Sequence, residues 1–216
     1  MTTKRKNVRQ HNKAGMPRRE EFLSAALKRF SRGGFAATST RDICADVGLA
    51  PSAIYNYFPS KSAILRALEE REMVPMQRGA ERLLADHAGK PPLERLERLL
   101  HYTISVAIDR REGWALFQDM IRHLPPRNRS VFIANRDRYQ SIVTALLQEA
   151  IDAGALPKQD IPLVTFYFFG AADGIARWYR PDARLPAASI AKHATEFFLS
   201  GLKCAGVPKK GCAGAR

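Results

Sequence analysis

Cysteine is scarce in this chain of 216 residues: Cys44, Cys204 and Cys212 are the full set, and no CxxC spacing occurs. An odd, unpatterned set speaks against a disulfide scaffold or a zinc finger and suits a reducing compartment, so a cytoplasmic location is expected. Long apolar runs are missing too. The richest stretch, residues 166–176, is interrupted by Asp173 and falls short of the roughly 18–20 residues that a membrane span needs. No membrane partner is expected. The N-terminus is basic, but no apolar segment follows residues 4–19, so no secretory signal is read.

Catalytic signatures are absent as well. Neither GxGxxG, GxxxxGK[ST] nor GxSxG occurs, and His11, His87, His101, His123 and His193 fall in no HExxH or HxH spacing. Asp109 and Asp119 could form a carboxylate pair, but no acid–base partner accompanies them. The expectation is no enzyme, no cofactor and no metal.

Acidic residues are few, 21 against 35 Lys and Arg, which leaves a net charge of +14 and a pI near 10.1. A polyanionic partner is the first implication. The charge is unevenly spread. Residues 1–70 hold 13 bases and 6 acids, and residues 71–216 hold 22 and 15, so the shorter segment has about twice the charge density. Residues 1–19 carry seven bases and no acid, without apolar residues at helical spacing. Residues 1–17 are expected to be a disordered basic arm that either solubilises the chain or touches phosphates or a minor groove.

What is present is helical periodicity nearly throughout, predicting an all-α chain of about nine helices. Phe22, Ala25, Ala26, Arg29 and Phe30 repeat as one face of a first helix, which Gly33-Gly34 ends. Thr38-Ser39-Thr40 caps a short second helix through Val47, and Pro51 opens a short third through Tyr57. Ser60 caps a fourth over 61–86, with Pro75 expected to kink or break it. Longer helices follow at about 92–110, 113–123, 127–153, 160–179 and 186–203, with residues 205–216 as a disordered tail. The expected division is a head over 18–66 and a helical body over 67–204.

In the head, two short helices flank a tight turn at Val47-Gly48-Leu49-Ala50, the layout of a helix-turn-helix whose second helix lies in the major groove of duplex DNA. Ser52 and Ala53 are small enough for close approach to base edges, and the Asn56 amide can pair bidentately with adenine. Tyr55 and Tyr57 carry hydroxyls for phosphate oxygens. Lys61 sits in the first turn of the next helix, where its charge and the free backbone N–H groups favour phosphate. Arg41 opens the preceding helix within reach of a groove or a phosphate.

Several spaced elements here match a known pattern in order. Ala26 and Phe30 precede Gly33-Gly34-Phe35. Thr38-Ser39-Thr40-Arg41-Asp42-Ile43 and Ala45-Asp46-Val47-Gly48 follow, then Tyr55-Asn56-Tyr57-Phe58-Pro59-Ser60-Lys61 and Leu65. Residues 22–68 thus resemble the DNA-binding domain of TetR-type transcriptional regulators. The resemblance implies a three-helix DNA head, an all-helical ligand-binding body and a homodimer built on the last two long helices. It further implies base reading by Arg41, Ser52, Ala53 and Asn56, and phosphate anchoring by Thr40, Tyr55, Tyr57 and Lys61. Asn56 stands where the family often has His, Tyr or Trp, and Cys44 where Ala is more frequent.

The body offers weaker signals. Arg177-Trp178-Tyr179-Arg180-Pro181 and Asn135-Arg136-Asp137-Arg138-Tyr139 resemble a subgroup of that family that senses acyl-CoA thioesters and represses lipid, sterol or aromatic-acid catabolism. Independently, Arg110, Arg111, Arg122, Arg127, Arg129, Arg136 and Arg138 gather in mid-body, and guanidinium forks suit phosphate. The plainer reading is a solvated face paired with Asp109, Glu112, Asp119 and Asp137. A small-molecule site is expected around Trp114, Phe117, Arg136, Tyr139, Phe169, Asp173, Arg177 and Trp178. A pocket for a hydrophobic cation or drug, with aromatics and a buried acid, is the alternative. So, in another class, is a DNA-coating protein without sequence preference. The helix over 160–179 is apolar on most sides and rich in small residues, so it must be covered on most sides. Phe166, Gly170, Gly174, His193 and Phe197 are the expected dimer seam.

Overall fold

The computed structural model describes residues 11–120, 126–182 and 184–204, and of 11–17, 115, 117–120, 126–128 and 131 the backbone alone. The fold is all-helical and carries no strand among the described residues: α1 (His11–Gly33), α2 (Thr40–Asp46), a 3-10 turn (Ala53–Asn56), α3 (Lys61–Asp86), α4 (Pro92–Asp109), α5 (Arg111–Met120), α6 (Pro126–Asp152), α7 (Ile161–Trp178) and α8 (Ala187–Cys204).

Local chemistry sets the boundaries. Gly34 and Gly48 take φ of +80° and +70°, left-handed values that end α1 and turn the chain after α2. Ser39 starts α2 with a full capping box: its hydroxyl accepts from the Asp42 amide at 3.2 Å, and its own amide donates to the Asp42 carboxylate at 2.8 Å. The same carboxylate holds its proton less readily than usual because the Ser39 hydroxyl and amide bond to it. Ser60 caps α3 through the Ala63 amide, and Asp160 caps α7 through the Leu163 amide, both at 3.1 Å.

Three expectations shift. α1 reaches back to His11, into the stretch expected to be an irregular arm. The added stretch, His-Asn-Lys-Ala-Gly-Met-Pro, has no apolar residues at helical spacing, so periodicity does not register it, and the helix runs on into Arg18, which bonds to Glu21 at 2.8 Å. α3 continues through Pro75 without a break. The third segment is a single 3-10 turn rather than an α-helix, with Ile54 and Phe58 buried beneath it. Residues 1–10, 121–125 and 205–216, including His123 and Arg122, lie outside the described residues.

Two apolar cores organise the molecule. The head core joins Phe22, Leu23, Ala26 and Phe30 of α1 to Ile43, Cys44, Ile54, Phe58, Ile64, Leu65 and Leu68. The body core is centred on α4, whose stripe Leu96, Leu99, Leu100, Thr103, Ile104, Ala107 and Ile108 is buried against α3, α6, α7 and α8. Each fully buried Leu or Ile contributes about 1.5–3 kcal/mol. α3 belongs to both cores: Ile64, Leu65 and Leu68 lie in the head, Met76 and Ala80 in the body. At about 1.5 Å rise per residue it spans both units as one rod. Leu116 of α5 and Phe132 of α6 are buried in the head core, so body helices close the underside of the head.

Candidate nucleic-acid interface and body interior

The segment after Gly48 divides its side chains by burial. Ile54 is fully buried and Phe58 nearly so, while Ser52, Tyr55 and Asn56 are exposed on the opposite side, with Ala53 and Tyr57 between. Tyr57 packs its ring on Phe22 with centroids 5.5 Å apart. Thr40 at the start of α2 and Tyr55 share a hydroxyl–hydroxyl hydrogen bond of 3.2 Å, joining the two arms of the turn. Arg41 is exposed beside them. Seven of the expected DNA-contacting residues, Thr40, Arg41, Ser52, Ala53, Tyr55, Asn56 and Tyr57, therefore lie at or beside the α2 start and the 3-10 turn that the Thr40–Tyr55 bond joins. The Asp46 carboxylate next to it is taken up by Arg29, which donates two bonds of 2.6 Å and holds that acid below the usual carboxylate range. This keeps one acid near the surface neutralised.

Lys61 departs from the expectation. Its ammonium turns inward and donates to the carbonyls of Phe35 at 2.8 Å, Thr38 at 3.0 Å and Ala36 at 3.3 Å.

In the body, Trp114, Tyr139, Phe169 and Asp173 come together. The Trp114 indole N–H of α5 donates to the Asp173 carboxylate of α7. Phe169 sets its edge against Tyr139, with centroids 6.0 Å apart. Thr103 directs its proton to the Leu99 carbonyl at 2.7 Å, so the Tyr139 hydroxyl must donate to Thr103 at 2.8 Å. Burial pushes that phenol well above its usual pKa, so it stays a donor. Phe117 lies on α5, but its side chain is outside the described residues.

Arg136, Arg177 and Trp178 are not brought to this cluster. Arg136 pairs with Asp137 at 2.8 Å on the surface, Arg177 is exposed, and Trp178 is 55% exposed. Arg138 pairs with Glu81 and Arg110 with Glu72, at 3.4 and 3.1 Å. Of these pairs only Arg136–Asp137 is one the plainer reading named; Arg138 and Arg110 pair instead with acids of α3.

The junction between head and body holds residues that motif reading missed. Glu69 of α3 is buried and accepts from the Asn135 amide of α6 at 2.8 Å, while Gln77 donates to the Asn135 carbonyl at 2.9 Å. Burial pushes the Glu69 carboxyl above its usual pKa, against the Asn135 bond. The available signal was phase, since Glu69 continues the apolar stripe Leu65, Leu68, Met76. Glu72 accepts from Arg71 at 2.8 Å and from Arg110. Gly113 fits against it, because a Cβ there would lie 2.9 Å from Glu72 Cγ.

The outer face of α7 is largely apolar and exposed, whereas that of α8 sets an exposed Phe197 among Lys192, His193 and Glu196. Phe166, Gly170 and Gly174 follow one another at four-residue steps on α7, and His193 and Phe197 do the same on α8. Phe166 is 65% and Phe197 83% exposed. On the inner side Phe168 of α7 and Phe198 of α8 meet edge to face, with centroids 5.2 Å apart.

Comparisons agree with this layout. Residues 22–68 match the family model of bacterial regulatory proteins of the tetR family, and residues 89–202 match that of the tetracyclin repressor-like C-terminal domain. The HTH-type transcriptional repressor KstR2 of Rhodococcus jostii is 23% identical over 187 residues, 86% of this chain and 91% of that protein. The TetR family regulator PfmR of Thermus thermophilus superposes with a TM-score of 0.73 at 27% identity, over 84% of this chain and 98% of its own. AibR, solved in complex with isovaleryl coenzyme A and operator DNA, superposes at 0.69 with 21% identity, over 83% and 97%.

Proposed function

The chain belongs to the TetR family of transcriptional regulators, a DNA-binding repressor with a ligand-binding body and not an enzyme, and we propose that it works as a homodimer released from a near-palindromic operator by an acyl-CoA thioester. Two heads would enter successive major grooves of double-stranded DNA, each presenting Ser52, Ala53 and Asn56 to base edges and Thr40, Arg41, Tyr55 and Tyr57 to base edges or phosphates. The observation that carries this reading is the exposed row Ser52, Tyr55 and Asn56 above buried Ile54 and Phe58.

The dimer reading rests on the exposed aromatic and glycine faces of α7 and α8. A solvated Phe197 and Phe166 are costly alone, and small residues between them let a second pair of helices approach closely. The effector reading rests on the relatives: a KstR2 repressor aligned over most of the chain and a neighbour holding isovaleryl coenzyme A. Ligand and DNA then oppose each other through differential affinity for two head spacings. Each lost base contact costs about 1–3 kcal/mol.

Asp173 favours a second reading. A carboxylate beside Trp114 and near Phe169 and Tyr139 is the environment that a hydrophobic cation would choose. A gel-shift on the DNA flanking its own gene separates the readings. Acyl-CoA thioesters should release the complex, and lipophilic cations and free acids should not. Release by cations alone would transfer the assignment to the second reading.

A further inference from the structure

A lysine in the first turn of α3 can, by charge alone, serve either a phosphate outside or carbonyls inside. An ammonium has three protons. In Lys61 all three have partners: the carbonyls of Phe35, Ala36 and Thr38 at 2.8, 3.3 and 3.0 Å. The same nitrogen lies 4.4 Å from the centroid of the Phe35 ring, a cation–π contact. The three carbonyls belong to the connection between α1 and α2, where Phe35 also sets its ring edge against Phe30. Thr38, itself buried, donates to the Gly34 carbonyl at 2.9 Å, and the next residue, Ser39, caps α2. Thr40 follows and bonds to Tyr55.

We propose that Lys61 is a positioning residue of the DNA head: its ammonium pins the α1–α2 connection to α3 and so fixes the angle at which α2 and the Ser52–Asn56 surface meet the duplex, rather than neutralising a phosphate. The fit is that of a compact point charge in a cup of converging carbonyls. A guanidinium, flat and forked, cannot place three N–H groups on those oxygens, although it binds phosphate at least as well. Arginine at 61 therefore separates the two roles. The proposal rests on the DNA-reading surface described above, but its first test needs no DNA.

In the wild-type protein, acylation of lysine amines followed by mass spectrometry should label Lys61 at least about tenfold more slowly than exposed Lys28, because its bonds must open first. Adding duplex should leave the Lys61 rate unchanged. A Lys61 amine that reacts as fast as Lys28 and becomes protected only by DNA overturns the proposal and leaves the reading surface standing. The variants Lys61→Met and Lys61→Arg are then compared by anisotropy on a preferred and a mixed-sequence duplex. Both should keep the helix content of the wild type and lose roughly tenfold on the preferred duplex, about one base contact, with less loss on the mixed one. The slope of log affinity against log salt should stay that of the wild type in both. Wild-type affinity in Lys61→Arg, or a slope reduced by about 0.9 in Lys61→Met, contradicts the proposal.

Discussion

The head and the body solve different problems with the same helices. In the head, one short segment carries the proposed reading surface, and nearby residues hold it: Ile54 and Phe58 beneath, Thr40 beside, Lys61 and Ser39 at the connection. In the body, the polar residues that meet come from different helices, Trp114 with Asp173 and Thr103 with Tyr139, at separations of 59 and 36 residues. A surface made by a contiguous segment can be read from spacing. A site made by distant residues depends on the phase of every helix that contributes to it.

The proposed dimer face gives the largest expected effect on this contrast. Phe197→Asp places a charge on the exposed seam without touching either core, and should produce monomers by sedimentation. Losing the second head should weaken operator binding by on the order of a hundredfold or more, since linked sites gain about 10²–10⁴ in avidity. Dimers of unchanged affinity would move the interface elsewhere.

A smaller effect is expected in the body. Thr103→Val leaves the buried Tyr139 hydroxyl without an acceptor, which should cost about 1–3 kcal/mol. For a chain of this size that lowers the melting temperature by about 2–4 °C per kcal/mol. Tyr139→Phe should cost less, because Thr103 keeps the Leu99 carbonyl. Equal losses in the two variants would show that the bond is not the cause.

The smallest effect lies at the junction. Burial holds the Glu69 carboxyl above its usual pKa, so between the ordinary and the raised value the folded chain binds a proton that the unfolded chain has released. Stability at this position therefore falls as pH rises from the ordinary carboxylate range into the raised one. Glu69→Gln keeps an acceptor for Asn135 and removes that penalty. Its melting temperature should exceed the wild type by about 1–3 °C at pH 7, with the gap closing as pH falls toward the ordinary carboxylate range. A gap independent of pH would contradict the assignment.

Much of this was legible in the chain. Ser60 and Pro91-Pro92 marked the starts of α3 and α4, and the α4 stripe was readable from Leu96 to Ile104. The exposure of Ser52 and Asn56 followed from the apolar positions around them. Trp178 could have been excluded from the interior by phase: Phe168, Ala172, Ile175, Ala176 and Tyr179 define the buried face of α7, and Trp178 falls off it. The same phase retains Asp173. The direction of Lys61 was not legible, because its acceptors lie 23–26 residues upstream on a connection without periodicity. Nor was the pairing of Arg138 with Glu81 across 57 residues.

The most direct test of the whole account is the base preference of the head. Wild-type protein and Asn56→Ala would each select from a pool of random duplexes, and the enriched sequences would be compared position by position. The wild type should select two related half-sites, and the variant should lose preference at one position of each half-site, worth about 1–3 kcal/mol, with the other positions unchanged. An identical profile from both proteins would contradict this expectation.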